Sequence, residues 1–170
     1  MAQKLAASLG YDGQALPEHR LAGAMHDIGK LTVPRTILYK PAPLTAAEWM
    51  VFRAHPETGA WFAEVMGADQ NVVEAVRQHH ERLDGSGYPR GLAGDEITSY
   101  ARILAVADVY CAMTQRRPYR SPLRQEDALE FLRNRSLFDG EVVKALEALV
   151  NCLHYRDQTL LYTGDKLCAR

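Results

Sequence analysis

Three short stretches of this chain carry side chains able to do chemistry where a protein interior would otherwise be expected. The first is Gln78-His79-His80-Glu81-Arg82-Leu83-Asp84-Gly85-Ser86-Gly87-Tyr88-Pro89. Two adjacent imidazoles close a helix predicted over Val72 to Glu81, and a loop rich in turn-forming residues follows at once. Adjacent helical positions diverge by only about 100° around the axis, so both rings can reach one metal site beside the helix end. The second is His26-Asp27-Ile28-Gly29-Lys30, at the end of the apolar run Leu21 to Met25. The third is Asp108, in the middle of Tyr100 to Met113, a stretch apolar on nearly every side. A carboxylate there must be paired, hydrogen-bonded or bound to a cation, because burying it alone is very costly. His55, beside Pro56, is predicted to terminate a helix.

Each of these has an ordinary explanation on its own. A His-His pair is commonly a partly exposed surface pair, a His-Asp dipeptide usually carries no function, and Asp108 suits a structural salt bridge. His55 suits a histidine interacting with a helix dipole. Together, however, His26, Asp27, His55, His79, His80 and Asp108 supply four imidazoles and two carboxylates from four separate helices. That is the complement for two divalent metals, with a carboxylate able to bridge them. Mixed imidazole and carboxylate donors suit Fe, Mn, Zn or Co better than Mg or Ca. Two such ions about 3.5–4 Å apart can share a hydroxide and polarise a phosphoryl group for in-line attack. Lys30 is placed to hold a non-bridging phosphate oxygen or to steady the leaving group.

The elements that must position these groups read as helices throughout. Gln3 to Leu9 is stopped at Gly10, and Pro17 to Ile28 has a proline suited to a first helical turn and Gly29 as a stop. Leu31 to Pro43 holds three prolines and is expected to be a loop. Thr45-Ala46-Ala47-Glu48 matches a capping box opening a helix over Ala46 to Ala54. Further helices are expected at Glu57 to Met66, Ser99 to Met113, Gln125 to Asn134 and Glu141 to His154. Arg82 to Ile97 is a long loop. Residues 155–170 stay open between a tail and a short strand. The prediction is a single all-α helical bundle over residues 1–154, with the metal site between helices.

Bulk properties narrow the function classes. A chain of 170 residues with 47% apolar and 24% charged residues buries a core without disulfides. A net charge of −1 gives no general field for a nucleic acid polymer or an anionic membrane. Cys111, Cys152 and Cys168 are odd in number and lie in no CxxC spacing, which argues against a disulfide framework and for a reducing cytoplasm. Neither a signal peptide nor a run of transmembrane length is present in the sequence.

The order His26-Asp27-Ile28-Gly29-Lys30, Pro34…Ile37-Leu38…Lys40-Pro41, Leu44-Thr45…Glu48, His55-Pro56…Gly59, His79-His80-Glu81…Asp84-Gly85-Ser86-Gly87-Tyr88-Pro89…Gly91-Leu92, Ala107-Asp108, Arg117-Pro118-Tyr119 resembles the HD-GYP family. This is a branch of the HD superfamily of metal-dependent phosphohydrolases, and the resemblance runs from about residue 1 to 150. It implies a helical HD-type bundle and hydrolysis of cyclic di-GMP or a related cyclic dinucleotide such as cyclic GMP-AMP, with two divalent metals, Fe or Mn favoured. It further implies that His26, Asp27 and Asp108 hold one metal, and that Asp27 bridges to a second held by His55, His79 and His80. By the same resemblance Lys30 contacts the scissile phosphate, and Gly87, Tyr88 and Pro89 shape the lip of the site. Arg117 and Tyr119 lie near the guanine or phosphate, and Glu81 and Asp84 orient histidines.

One departure from the family matters. Members usually carry a further histidine or glutamate on a helix one to two turns upstream of residue 1. No histidine precedes His19, and His19 lies seven residues before His26, out of place for that role. The expectation is therefore a two-metal site that opens cyclic di-GMP mainly to linear pGpG, with a catalytically weak module as its alternative. Two other readings stand beside it: a signalling module that binds a cyclic dinucleotide or a protein partner without turnover, and a nucleotide phosphohydrolase of the wider superfamily. The last leaves His79-His80 and the Gly87-Tyr88-Pro89 loop without a task. As 170 residues leave no room for a receiver or sensor domain, regulation is expected from a separate protein, from a homodimer, or from domains outside this chain.

Overall fold

In the computed structural model, residues 1–116, 121–133 and 136–164 are described, those from 153 onward as helix backbone only. Nine α-helices and two 3-10 turns occur among them, and the only β pairing is an isolated bridge between Asp84 and Ala93. The helices are α1 (Ala2–Ser8), α2 (Ala15–Met25), α3 (Arg35–Leu38), α4 (Ala46–Arg53), α5 (His55–Val65), α6 (Gln70–Gln78), α7 (Ser99–Thr114), α8 (Gln125–Leu132) and α9 (Gly140–Gly164). The all-α expectation is met.

The most buried helix is α7. Tyr100, Ile103, Leu104, Val106, Ala107 and Tyr110 are all buried along it, as its all-round apolar sequence requires. It packs against α1, α2, α6, α8 and α9, while α5 packs on α6 and on the 3-10 turn Ile28–Thr32. Leu5, Val72, Val73, Val76, Ile103, Leu132 and Leu146 are each at most 1% exposed. Every such aliphatic side chain contributes roughly 1.5–3 kcal/mol of burial against the entropy of ordering the chain.

Local chemistry explains most boundaries. Thr45 Oγ1 accepts from the Glu48 amide and Glu48 Oε2 accepts from the Thr45 amide, completing the expected capping box at α4. Lys40 Nζ reaches the same carboxylate at 2.6 Å, and this hydrogen bond leads in holding the Glu48 carboxyl at about 2. Asp69 and Thr98 cap α6 and α7 through their side chains.

Several boundaries differ from expectation. The segment Leu31 to Pro43 is not all loop, since it contains the end of the 3-10 turn and the short α3. Helix α2 ends at Met25 rather than Ile28, and α6 ends at Gln78 rather than Glu81. His55 opens α5 instead of closing α4, with Ala54 serving as the cap of both helices. Helix α9 continues to Gly164, so residues 155–164 are helical and neither tail nor strand. No described helix is long and apolar enough to cross a membrane.

Candidate metal centre

The cluster is built from helix ends. The last carbonyls of an α-helix lack intrahelical donors, and three histidines exploit this in the same way. His26 Nδ1 lies 2.9 Å from the Gly23 carbonyl, His55 Nδ1 2.8 Å from Phe52, and His79 Nδ1 2.6 Å from Val76. Each partner is three residues back, in the last turn of α2, α4 and α6 respectively. A carbonyl can only accept, so each Nδ1 carries a proton, and in the neutral imidazoles of His55 and His79 this leaves the lone pair on Nε2.

The Nε2 atoms converge on Asp27, the residue just before the 3-10 turn. Asp27 Oδ1 lies 3.6 Å from His55 Nε2 and Asp27 Oδ2 lies 3.5 Å from His26 Nε2, so its two oxygens face the two halves of the cluster. His26 Nε2 is also 3.5 Å from Asp108 Oδ1. Ligand atoms of Asp27, His55, His79 and His80 all lie within 4.8 Å of one another. The backbones approach closely to allow this. A Cβ on Gly29 would stand 2.0 Å from the His55 carbonyl oxygen and 2.7 Å from the Gly59 nitrogen, so only glycine fits.

The electrostatics separate the two halves. His55 and His79 are fully buried, and burial lowers both pKa values. Burial, with His79 and His55 adding to it, also lowers that of His80. These three imidazoles are therefore neutral, the form in which imidazole donates to a metal. At His26 burial again disfavours charge, but the Asp108 and Asp27 carboxylates outweigh it and raise the pKa. Asp108 is lowered in turn: burial opposes its ionisation and the hydrogen bond to His26 overcomes that.

A divalent cation fits this donor set on an observation independent of any relative. His55 Nε2 and His79 Nε2 are buried without a hydrogen-bond partner. Leaving such atoms unsatisfied is costly, yet both face a carboxylate and further imidazoles, and their opposite nitrogens are already anchored, as in metal-ligating histidines.

Beside the cluster lies a cavity of about 430 Å³ walled by Lys30, Phe52, Arg82, Tyr88, Met113, Phe131 and Phe138, with Asp27, His80 and Asp108 at its floor. Lys30 Nζ sits 2.6 Å from Asp27 Oδ2 and 5.7 Å from the Phe52 ring centroid. The Tyr88 ring tilts over His80 at 4.7 Å, and the peptide between Tyr88 and Pro89 is cis. Burial pushes the Tyr88 phenol up to about 12, so it is uncharged at neutral pH.

The six expected ligand residues, Lys30 and Tyr88 thus come together. Arg117 and Tyr119 lie outside the described residues. The carboxylates of Glu81 and Asp84 are hydrogen-bonded to loop groups instead of to histidines. Glu81 accepts from the amides of Arg90 and Leu92, and Asp84 accepts from the Ser86 amide and hydroxyl in a local turn. Sequence reasoning passed over Phe52, Arg82, Phe131 and Phe138 in the cavity wall. Arg82 alone left a signal, a cation two residues after the histidine pair.

Comparison with known proteins agrees with this geometry. A family model described as an HD domain matches residues 1–142. A cyclic di-GMP phosphodiesterase of Pseudomonas aeruginosa is 41% identical over 143 residues, covering 83% of this chain and 34% of that protein. A 3'3'-cGAMP-specific phosphodiesterase of Vibrio cholerae is 40% identical over 134 residues, covering 79% of this chain and 31% of that protein. Among solved structures, an HD-GYP-type protein from Bdellovibrio bacteriovorus superposes with a TM-score of 0.68 at 20% identity, over 86% of this chain and 48% of that one. The chain belongs to the HD domain family, in its HD-GYP branch. It spans about a third of the length of the curated relatives it matches.

Proposed function

We propose that this chain is a metal-dependent phosphodiesterase that opens cyclic di-GMP, mainly to linear pGpG, at a two-metal site in the bacterial cytoplasm. The observation that carries the proposal is the pair of oxygens on Asp27, one facing His55 Nε2 and the other His26 Nε2. One cation would be held by His26, Asp27 and Asp108, and the other by Asp27, His55, His79 and His80. Two such ions, Fe or Mn as the family resemblance implies, would supply an activated water and polarisation of the phosphoryl group.

The chain's own residues do the rest. Lys30 Nζ, already beside Asp27, offsets negative charge on a non-bridging phosphate oxygen or on the departing one. Phe52, Tyr88, Phe131 and Phe138 give a purine apolar surface to stack on, and their bulk excludes water from the floor of the cavity. Relatives named for cyclic di-GMP and for 3'3'-cGAMP support the substrate class, and the guanine common to both is the half we assign to this cavity.

The test is turnover of cyclic di-GMP and of 3'3'-cGAMP by the chain loaded with Mn(II), with products separated by chromatography. Accumulation of pGpG from the first supports the proposal. GMP as the main product, or preference for the second substrate, would contradict the product or the substrate respectively. Binding of either nucleotide without turnover, at saturating metal, would make the chain a signalling module instead.

A further inference from the structure

Glu81 directly follows the histidine pair, yet its carboxylate turns away from them. It is 2% exposed, and its two oxygens accept the backbone amides of Arg90 at 2.7 Å and Leu92 at 3.1 Å. The chain between is drawn back onto its own start. A Cβ on Gly87 would stand 2.4 Å from the Arg82 nitrogen and 2.4 Å from Glu81 Cα, so the loop passes where no side chain fits. The Tyr88 amide donates to the His80 carbonyl at 3.2 Å, which seats the phenol ring over His80. The outer latch on the same loop, Arg90 to Glu57 at 2.7 Å, is half-exposed and accordingly weak.

We propose that Glu81 is the positioning residue for Tyr88: by holding both amides it fixes the loop that forms one wall of the nucleotide cavity. It sets affinity for the cyclic dinucleotide and leaves metal content intact. This rests on the phosphodiesterase reading above. Two variants separate it from a role behind the histidines. Glu81→Gln puts an amide NH₂ against one of the two backbone N–H groups, donor facing donor. Glu81→Asp keeps the charge but is one methylene short, and should fall between Glu81→Gln and the parent.

The experiment measures four quantities on the metal-loaded chain: metal content, deuterium exchange at the Arg90 and Leu92 amides, kinetics with cyclic di-GMP, and kinetics with bis(p-nitrophenyl) phosphate, a small diester that needs no cavity wall. For Glu81→Gln we expect unchanged metal content, faster exchange at both amides, and a KM for cyclic di-GMP raised about tenfold with kcat within about threefold. The small diester should be turned over as by the parent. Loss of metal, equal losses on both substrates, or unchanged exchange and KM would overturn the proposal. So would failure of both variants to fold, which would make Glu81 a general stability residue. If the parent turns over neither substrate, the phosphodiesterase reading falls on its own. Amide exchange and calorimetric affinity for cyclic di-GMP then decide the role of Glu81.

Discussion

Two buried regions of this protein hold imidazoles with unpartnered nitrogens, and they are unlike in every other respect. In the metal cluster, His55 and His79 each have Nδ1 fixed on a helix carbonyl and Nε2 aimed among other ligand atoms. His19, on α2 two turns before His26, is equally buried but has neither nitrogen bonded. Its ring stacks on Tyr100 at 3.9 Å and meets Tyr11 edge-on at 5.0 Å. The first arrangement orients a lone pair, whereas the second uses the imidazole as a flat aromatic ring. What sets His55 and His79 apart from His19 is the anchored opposite nitrogen together with a convergent carboxylate, and burial alone does not.

The widest gap should appear on removing the carboxylate that joins the two halves. Asp27→Asn should lower phosphodiesterase activity more than about 100-fold and empty the site in elemental analysis, since even residues behind metal ligands cost 10–100-fold. His19→Phe should retain its metal. Metal retained in full by Asp27→Asn, or lost from His19→Phe, would erase the distinction.

A contrast of the same kind holds for two glycines. Gly29→Ala forces a Cβ to 2.0 Å from the His55 carbonyl, backbone that cannot yield cheaply. It should cost about 3 kcal/mol or more in urea unfolding, at or beyond the upper end of overpacking penalties. Gly23 lies within α2 between His19 and His26, and a Cβ there meets only Ala2 Cβ at 3.6 Å. Gly23→Ala should therefore stabilise by about 0.5–1 kcal/mol, the helical preference for alanine.

The smallest effect concerns pH. Burial lowers the His19 pKa in the fold, so below the unfolded-state value of 6.5 the unfolded chain takes up the proton more readily. The stability this group contributes is full above pH 6.5 and declines as pH falls toward the folded value. His19→Phe should make the metal-free protein less sensitive to acidification from pH 7.5 to 5.5, as read from urea midpoints at the two pH values. An identical pH dependence would show that His19 is not buried neutral.

Much of this was legible in the residues. His26, Asp27, His55, His79, His80 and Asp108 stood out because imidazoles and carboxylates interrupt apolar periodicity, which a core does not tolerate without a partner. Thr45 and Glu48 announced the start of α4 because a capping box is local in sequence. Other features depend on where the chain returns in space. Whether Glu81 faces His79 or the amides of Arg90 and Leu92 is decided by the path of the loop. Phe131 and Phe138 belong to the cavity wall through the packing of α8 and α9 on the bundle, which no spacing encodes. His55 read as a helix end because Pro56 follows it, but proline is equally at home in a first helical turn.

The central claim, a two-metal phosphodiesterase centred on Asp27, is tested most directly by anaerobic incubation with cyclic di-GMP and Fe(II) or Mn(II), followed by chromatography of the products. The account predicts pGpG from the parent chain and none from His80→Ala. Intact cyclic di-GMP throughout, from a protein shown to retain its metal, would contradict it.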